Sequence, residues 1–285
     1  MLTTMPQKIW LIIPTAIFGF TVLSLSKIAV AQSESETLPN TLGRPNRTIQ
    51  SGTRVRLRLP PSLGVPGRRI PAASRGINCI AKNQRLTALI PKSNIGLTTL
   101  ANPTLYFFIP QNSASRIELV VQDENEQIIY QQKYKPSTKA GVVGIDLPPD
   151  SLAMNKKYRW NFSIICNPQD RSSDKLVQGT IQRVKNPSLT EKLEQATPQE
   201  RVLLYAEAGS WHDALDTLAR LRYSNPHDLK LKADWEALLT APGVEFDKKL
   251  AQKPLISEQE APRPLKRHKL GLKDSVVKQL IKISQ

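Results

Sequence analysis

Tyr158-Arg-Trp-Asn-Phe-Ser-Ile-Ile-Cys166-Asn-Pro-Gln-Asp-Arg-Ser-Ser-Asp174 is the stretch on which the fold turns. Its large apolar groups, Tyr158, Trp160, Phe162 and Ile164, recur at every second residue, the period of a half-buried strand. The strand ends on a cysteine and passes into a polar turn. In that turn Asn167-Pro168 starts a bend, and the side chains of Asp170 and Asp174 are placed to cap backbone amides. A weaker alternative is a calcium loop on Asp170 and Asp174, although the stretch lacks the glycine and the terminal bidentate acid that such loops use. Upstream, Leu152 precedes Tyr158 by six residues across a polar, turn-like segment. This resembles the tyrosine corner of immunoglobulin-like and fibronectin-like sandwiches and gives Leu152, Tyr158, Trp160 and Phe162 a structural role in the core.

Outward from this strand, Leu86–Ile90, Thr104–Ile109, Arg116–Gln122, Gln127–Tyr134, Val142–Leu147 and Leu176–Val184 share the strand texture and are separated by turn-formers. Seven such strands with no helical period between them predict an antiparallel β-sandwich over residues 76–186. After Pro187 the period becomes helical. Ser188, Thr197, Ser210 and Asn225-Pro226 are start signals for four short helices within 187–242. The stretch from Tyr205 through Trp211-His-Asp-Ala-Leu215 to Pro226 is similar to one tetratricopeptide unit, too few to bury its own core, so it is expected to dock on the sandwich. The predicted class is therefore α+β: an immunoglobulin-like or fibronectin-like sandwich followed by a small helical segment.

The ends differ from the middle. Residues 1–31 read as an export signal, with Lys8, an apolar run from Trp10 to Leu25 and a small-residue cleavage site at Ala29-Val-Ala31; the alternative is a retained anchor. Cleavage there would leave no stable transmembrane segment. The chain from Gln32 onward carries 38 basic and 24 acidic side chains. The excess lies in an Arg/Pro-rich linker, 32–75, and a basic, largely disordered tail, 243–285. Arg68, Arg69, Lys266 and Arg267 are candidate partner-facing charges in these flanks, and Trp211 and Trp235 are candidate stacking surfaces on the helices. An exported chain rarely meets nucleic acid, so the expected partners are an anionic envelope component or another exported protein. The two cysteines, Cys79 and Cys166, form an even pair that an oxidising compartment would join.

Enzyme signatures are missing: there is no GxSxG elbow, phosphate-cradling glycine loop, HExxH or CxxC. His212 stands between Trp211 and Asp213 at a helix start, where neighbours point in different directions and cannot form a relay; it reads as part of a helix cap. No cofactor is implied. The expected role is a non-enzymatic interaction module of the periplasm or cell envelope, with a groove between sandwich and helices as the alternative ligand site.

Several blocks carry a resemblance: Leu86–Pro91, Pro103–Pro110, Glu118–Asp123, Tyr158–Ser172, Gly179–Val184, and Leu204–Ala206 with Trp211–Leu215. In this order they resemble the family termed domain of unknown function 928, exported proteins found mainly in cyanobacteria. The resemblance implies export and a sandwich followed by helices, and it brings no catalytic residue or cofactor.

The charge distribution makes a direct prediction. The full-length protein should bind acidic-lipid vesicles at low ionic strength and release them as the Debye length falls from ~30 Å at 0.01 M to ~3 Å at 1 M salt. Salt-insensitive binding in a sedimentation assay, or none, would contradict it.

Overall fold

The computed structural model describes residues 55–60, 64–72, 78–137, 139–257 and 260–265. Residues 1–31, predicted to be an export signal, most of the N-terminal flank and the charged residues Lys266 and Arg267 lie outside them. Nine strands fall in chain order at Thr87–Ala88 (β1), Ile95–Thr98 (β2), Thr104–Ile109 (β3), Arg116–Gln122 (β4), Ile128–Lys135 (β5), Gly141–Asp146 (β6), Lys157–Ile165 (β7), Lys175–Arg183 (β8) and Arg263–Pro264 (β9). Helices span Pro187–Glu194 (α1), Pro198–Glu207 (α2), Trp211–Ser224 (α3), Leu229–Thr240 (α4) and Lys248–Ala251 (α5). The class is α+β, with two sheets and five helices among the described residues.

One sheet has the order β1-β3-β6 and the other β2-β8-β7-β4-β5-β9. The alternation read from the sequence decides which side chains enter the space between them. Odd-numbered residues of β3 (Leu105, Phe107, Ile109) and even-numbered residues of β7 (Tyr158, Trp160, Phe162, Ile164) join Ile117, Leu119 and Val121 in one buried cluster. Phe107 stacks on Phe162 at 3.9 Å between ring centroids and meets Trp160 edge-on at 5.5 Å, geometries that favour aromatic pairs beyond their area burial. Leu152 and Tyr158 are buried with them. The Tyr158 hydroxyl accepts a hydrogen bond from the Ala153 backbone N–H at 2.9 Å.

β3 is buried on its other face too. Tyr106 and Phe108 belong, with Leu89 and Val142, to a second cluster supplied by Trp211, Leu215, Leu218, Leu231, Trp235, Leu238 and Leu239 of α3 and α4. The helical layer thus covers the outer face of the three-stranded sheet, as its apolar stripes require. Thr197 and Glu200 make the expected reciprocal capping box at α2. Two other starts lie elsewhere than expected. Asn186, not Ser188, caps α1, because Pro187 takes the first helical position; Asp228, not Asn225, caps α4, accepting from the N–H groups of Lys230 and Leu231.

The sequence reading needs three further corrections. β2, a strand not read from the sequence, runs parallel to β8, so the larger sheet is mixed and not purely antiparallel; with two of its four residues half-exposed, β2 is short and weakly patterned. The N-terminal boundary at residue 75 falls inside the fold. Val55 is buried, the Arg58 N–H bonds to the Ala206 carbonyl at 2.9 Å, and Arg68 bridges Gln178. The boundary at Gly243 also moves: Val244, Phe246 and Ile256 are buried, residues 254–256 hydrogen-bond to Val142 of β6 on both of its backbone groups, and β9 then pairs with β5. The chain after α5 therefore laces one sheet to the other.

Cys79 and Cys166 are joined by a disulfide, 87 residues apart in sequence. Closing a loop of that length constrains the unfolded chain by about 4–5 kcal/mol in the chain-entropy account. Cys79→Ser with Cys166→Ser should lower the unfolding free energy by about that amount in urea titration, and thiol titration of the denatured, unreduced parent should find no reactive sulfur. An unchanged urea midpoint with an unchanged slope would contradict the expectation.

Candidate functional site

α3 meets the three-stranded sheet through polar as well as apolar groups, and the polar ones shape a site. At its N-terminus Trp211 is fully buried and its indole N–H donates to the Leu89 carbonyl at 2.9 Å. His212 is buried beside it against β2: a Cβ on Gly96 would lie 2.4 Å from His212 Nε2, so only glycine allows the helix to approach this strand so closely. Asp213, also buried, accepts from Thr98 Oγ1 at 2.5 Å, from the Thr99 N–H at 2.7 Å and from Thr99 Oγ1 at 2.8 Å. Ser210 makes no side-chain cap bond. The His212–Asp213 pair expected as a helix cap is instead a docking device, because Thr98 at the end of β2 and Thr99 just beyond it offer Asp213 three donors outside the helix.

Burial pushes the His212 imidazole down to about 3, since its ring nitrogens have no partner at ordinary hydrogen-bond geometry and only a weak backbone interaction at Thr104 opposes desolvation. Burial pushes the Asp213 carboxyl up to about 6, against the lowering effect of its three hydrogen bonds.

Two turns further along α3 the interface opens into a groove of about 600 Å³. Its floor is the outer face of β3 and β6, with Thr104, Tyr106, Gly144 and Asp146; its walls are Arg220, Tyr223 and Ser224 of α3, and Ile256, Ser257 and Ala261 of the returning chain. One hydrogen-bonded network fixes the polar side. The Tyr106 hydroxyl donates to Asp216 Oδ1 at 2.9 Å, and Arg220 Nε donates to Asp216 Oδ2 at 2.9 Å. A guanidinium nitrogen of Arg220 lies 3.5 Å from Asp146 Oδ1, which also accepts from Thr104 Oγ1 at 2.6 Å. On the other side the Tyr223 hydroxyl donates to the Ile256 carbonyl at 2.7 Å. Burial, then the Asp216 and Tyr223 side chains, hold the Tyr106 phenol well above its ordinary range. The hydrogen bond to Asp216, against some desolvation, raises Arg220. Tyr106 is thus an un-ionised phenol and Arg220 a fixed cation at working pH.

The side chains anticipated from sequence are distributed differently. Trp211 and Trp235 were expected to be exposed for stacking and are both fully buried. The first is fixed by its bond to Leu89, and the second lies beneath the Arg222 guanidinium at 5.1 Å. Of the four candidate partner-facing charges, the two described are Arg68, which is exposed, and Arg69, which donates to the Ile90 and Val244 carbonyls and stacks on Phe246, so it ties the fold together. The calcium alternative is not supported. Asp170 caps the Ser172 N–H, and Asp174 faces the Arg171 guanidinium at 2.5 Å, which also bonds Glu118, so a cation is already in place. Among the described residues no three metal-ligating side chains converge, and no helix is long and apolar enough to cross a membrane. The sequence carries no local signal for the groove as a set, although the i,i+4 pair Asp216 and Arg220 is legible in it.

Fold and groove together define a two-sheet domain roofed by helices, with a binding-sized depression at their junction. The chain belongs to the family Domain of Unknown Function (DUF928), whose pattern it matches over residues 70–255, more than half of its length. No curated protein matches it. Among solved structures it is similar to the fn3 domain of the human collagen alpha-1(XX) chain, at 9% identity over 40% of this chain and 92% of that one, with a TM-score of 0.23, too slight to bear on topology or function.

The paired burial of His212 and Asp213 predicts opposed acid responses. His212 resists protonation when folded, so its contribution to stability is whole above pH 6.5 and declines as pH falls towards 3, by up to about 1.4 kcal/mol per unit. Asp213 holds its proton longer when folded, so its penalty is absent below pH 3.8 and grows as pH rises towards 6. Between pH 4 and 6 the two oppose one another. Asp213→Asn should leave the histidine term uncompensated, so the variant loses stability on acidification from pH 6 to 4 more steeply than the parent in urea unfolding. Parallel curves would refute the coupling.

Proposed function

We propose that the chain is an exported, non-enzymatic interaction module of the periplasm or cell envelope, whose ligand site is the groove between the three-stranded sheet and α3. The observation that carries this is a depression of about 600 Å³, inside the range of small-molecule sites, whose polar groups are held by one another before any ligand arrives. In this reading the two sheets are an immunoglobulin-like or fibronectin-like sandwich, supported by the Tyr158 corner bond, and the α2–α3 hairpin is a tetratricopeptide-like piece that serves as a roof. The basic flanks would tether the domain to anionic glycan, lipid or protein. A binding role is favoured over a catalytic one because the one buried histidine–carboxylate pair among the described residues, His212 and Asp213, is sealed against β2, with Asp213 committed to Thr98 and Thr99.

The groove can be tested without knowing its ligand. In a heteronuclear NMR titration of the full-length protein with a small-fragment library, shifts should concentrate at Tyr106, Gly144, Arg220, Tyr223 and Ser224. Ser224→Trp, a substitution at an exposed position on the groove wall, should abolish them. Hits scattered over the surface, or insensitive to that substitution, would overturn the groove as the binding site.

A further inference from the structure

We infer that the groove takes a neutral, hydroxyl-rich ligand, a short oligosaccharide of uncharged hexose or N-acetylhexosamine units; this rests on the groove being the binding site. Charge is the first argument. Among the described lining residues Asp146 and Arg220 alone carry charge, and they face one another at 3.5 Å. Arg220 is held again from behind by Asp216 at 2.9 Å. An anionic ligand would have to compete with two carboxylates for Arg220, and a cationic one would meet Arg220 beside Asp146. A ligand without net charge needs neither exchange.

The hydrogen-bonding inventory is the second. Thr104 and Tyr106 each commit their single hydroxyl proton to a carboxylate, so both present acceptor lone pairs to the groove. Arg220 has more N–H donors than its two carboxylate contacts use, and its side chain is 56% exposed; Asp146 is 60% exposed and has a second oxygen. The site therefore sets fixed acceptors beside fixed donors. Each sugar hydroxyl both donates and accepts, so a polyol can satisfy adjacent donors and acceptors that a purely donating or accepting ligand cannot. A charged planar fork beside a carboxylate also suits neighbouring hydroxyls held at fixed spacing.

The third argument is the apolar surface beside the charged pair. One turn along α3 from Arg220 stands the Tyr223 ring, partly exposed. A pyranose has the same two-sided character, with C–H faces for such a ring and hydroxyl edges for the polar groups. At the floor, a Cβ on Gly144 would come within 2.8 Å of Thr104 and 3.0 Å of the Tyr106 ring, so glycine keeps this surface low and open.

An extended peptide fits less well. Strand addition needs an open backbone edge, and the groove presents a sheet face. β3 is paired on both sides, and at Val142 the free edge of β6 is already occupied by residues 254–256.

Calorimetric titration of the full-length protein against three pools separates the possibilities: neutral hexose and N-acetylhexosamine tetrasaccharides, matched uronate tetrasaccharides, and random hexapeptides. The expected result is binding to the neutral pool, weakened roughly tenfold or more by Asp146→Asn and by Tyr223→Leu and abolished by Ser224→Trp, with melting temperatures confirming that each variant folds. Binding of uronates or peptides in preference to neutral sugars, still blocked by Ser224→Trp, would overturn the saccharide assignment and leave the groove as the site. No binding to any pool, or binding indifferent to Ser224→Trp, would overturn both.

Discussion

Strand β3 is buried on both faces, and the rest of the molecule is arranged to make that possible. One face sends Phe107 into the stack with Phe162 and Trp160; the other sends Tyr106 and Phe108 under the helices. Each large side chain so covered is worth roughly 1.5–3 kcal/mol of transfer free energy. Uncovering either face would expose a contiguous apolar patch. The helical layer is thus no appendage to a self-sufficient pair of sheets, and the sheets depend on it as much as it depends on them.

Apolar burial alone would let α3 slide or rotate on the sheet, since dispersion and hydrophobic contact have little direction. Direction comes from the polar seam. Trp211 to Leu89, Asp213 to Thr98 and Thr99, and Tyr106 to Asp216 are three attachments along one helix, each of which leaves a buried polar group unsatisfied if the helix moves. They fix α3 in register, and with it the positions of Arg220 and Tyr223. The groove is accordingly a by-product of the docking geometry. Its α3 wall is held in place because the same helix closes the core.

Much of this was visible in the residues. Alternation at Tyr158, Trp160, Phe162 and Ile164 identifies the central strand, because a strand with one buried face obeys a strict period of two. The capping box at Thr197 and Glu200 marks a helix start, because its chemistry is local. The family was legible from its ordered blocks, and the match over residues 70–255 shows it. What escaped has a common physical cause: it depends on partners distant in sequence. β2 is only four residues long and gains its partner from β8, over eighty residues later. Trp211 and Trp235 look like exposed anchors on isolated helices, and only the sheet they cover turns them into core. Thr98 and Thr99 say nothing of Asp213, and Asp146 says nothing of Arg220, until the fold brings them together.

The return of the chain after α5 has a bearing on how the protein is made. Residues 254–256 complete the edge of β6, and Arg263–Pro264 extends the sheet beyond β5, so the last described residues pair with strands laid down more than a hundred positions earlier. A ribosome delivers the chain from its N-terminus, and neither sheet can acquire its final border until residues 254–264 have emerged. Such long-range closure slows folding relative to local pairing. Until then the Tyr134–Lys135 end of β5 lies along an edge open to strangers, which makes the interval between synthesis and closure a time at which this chain is exposed to mispairing.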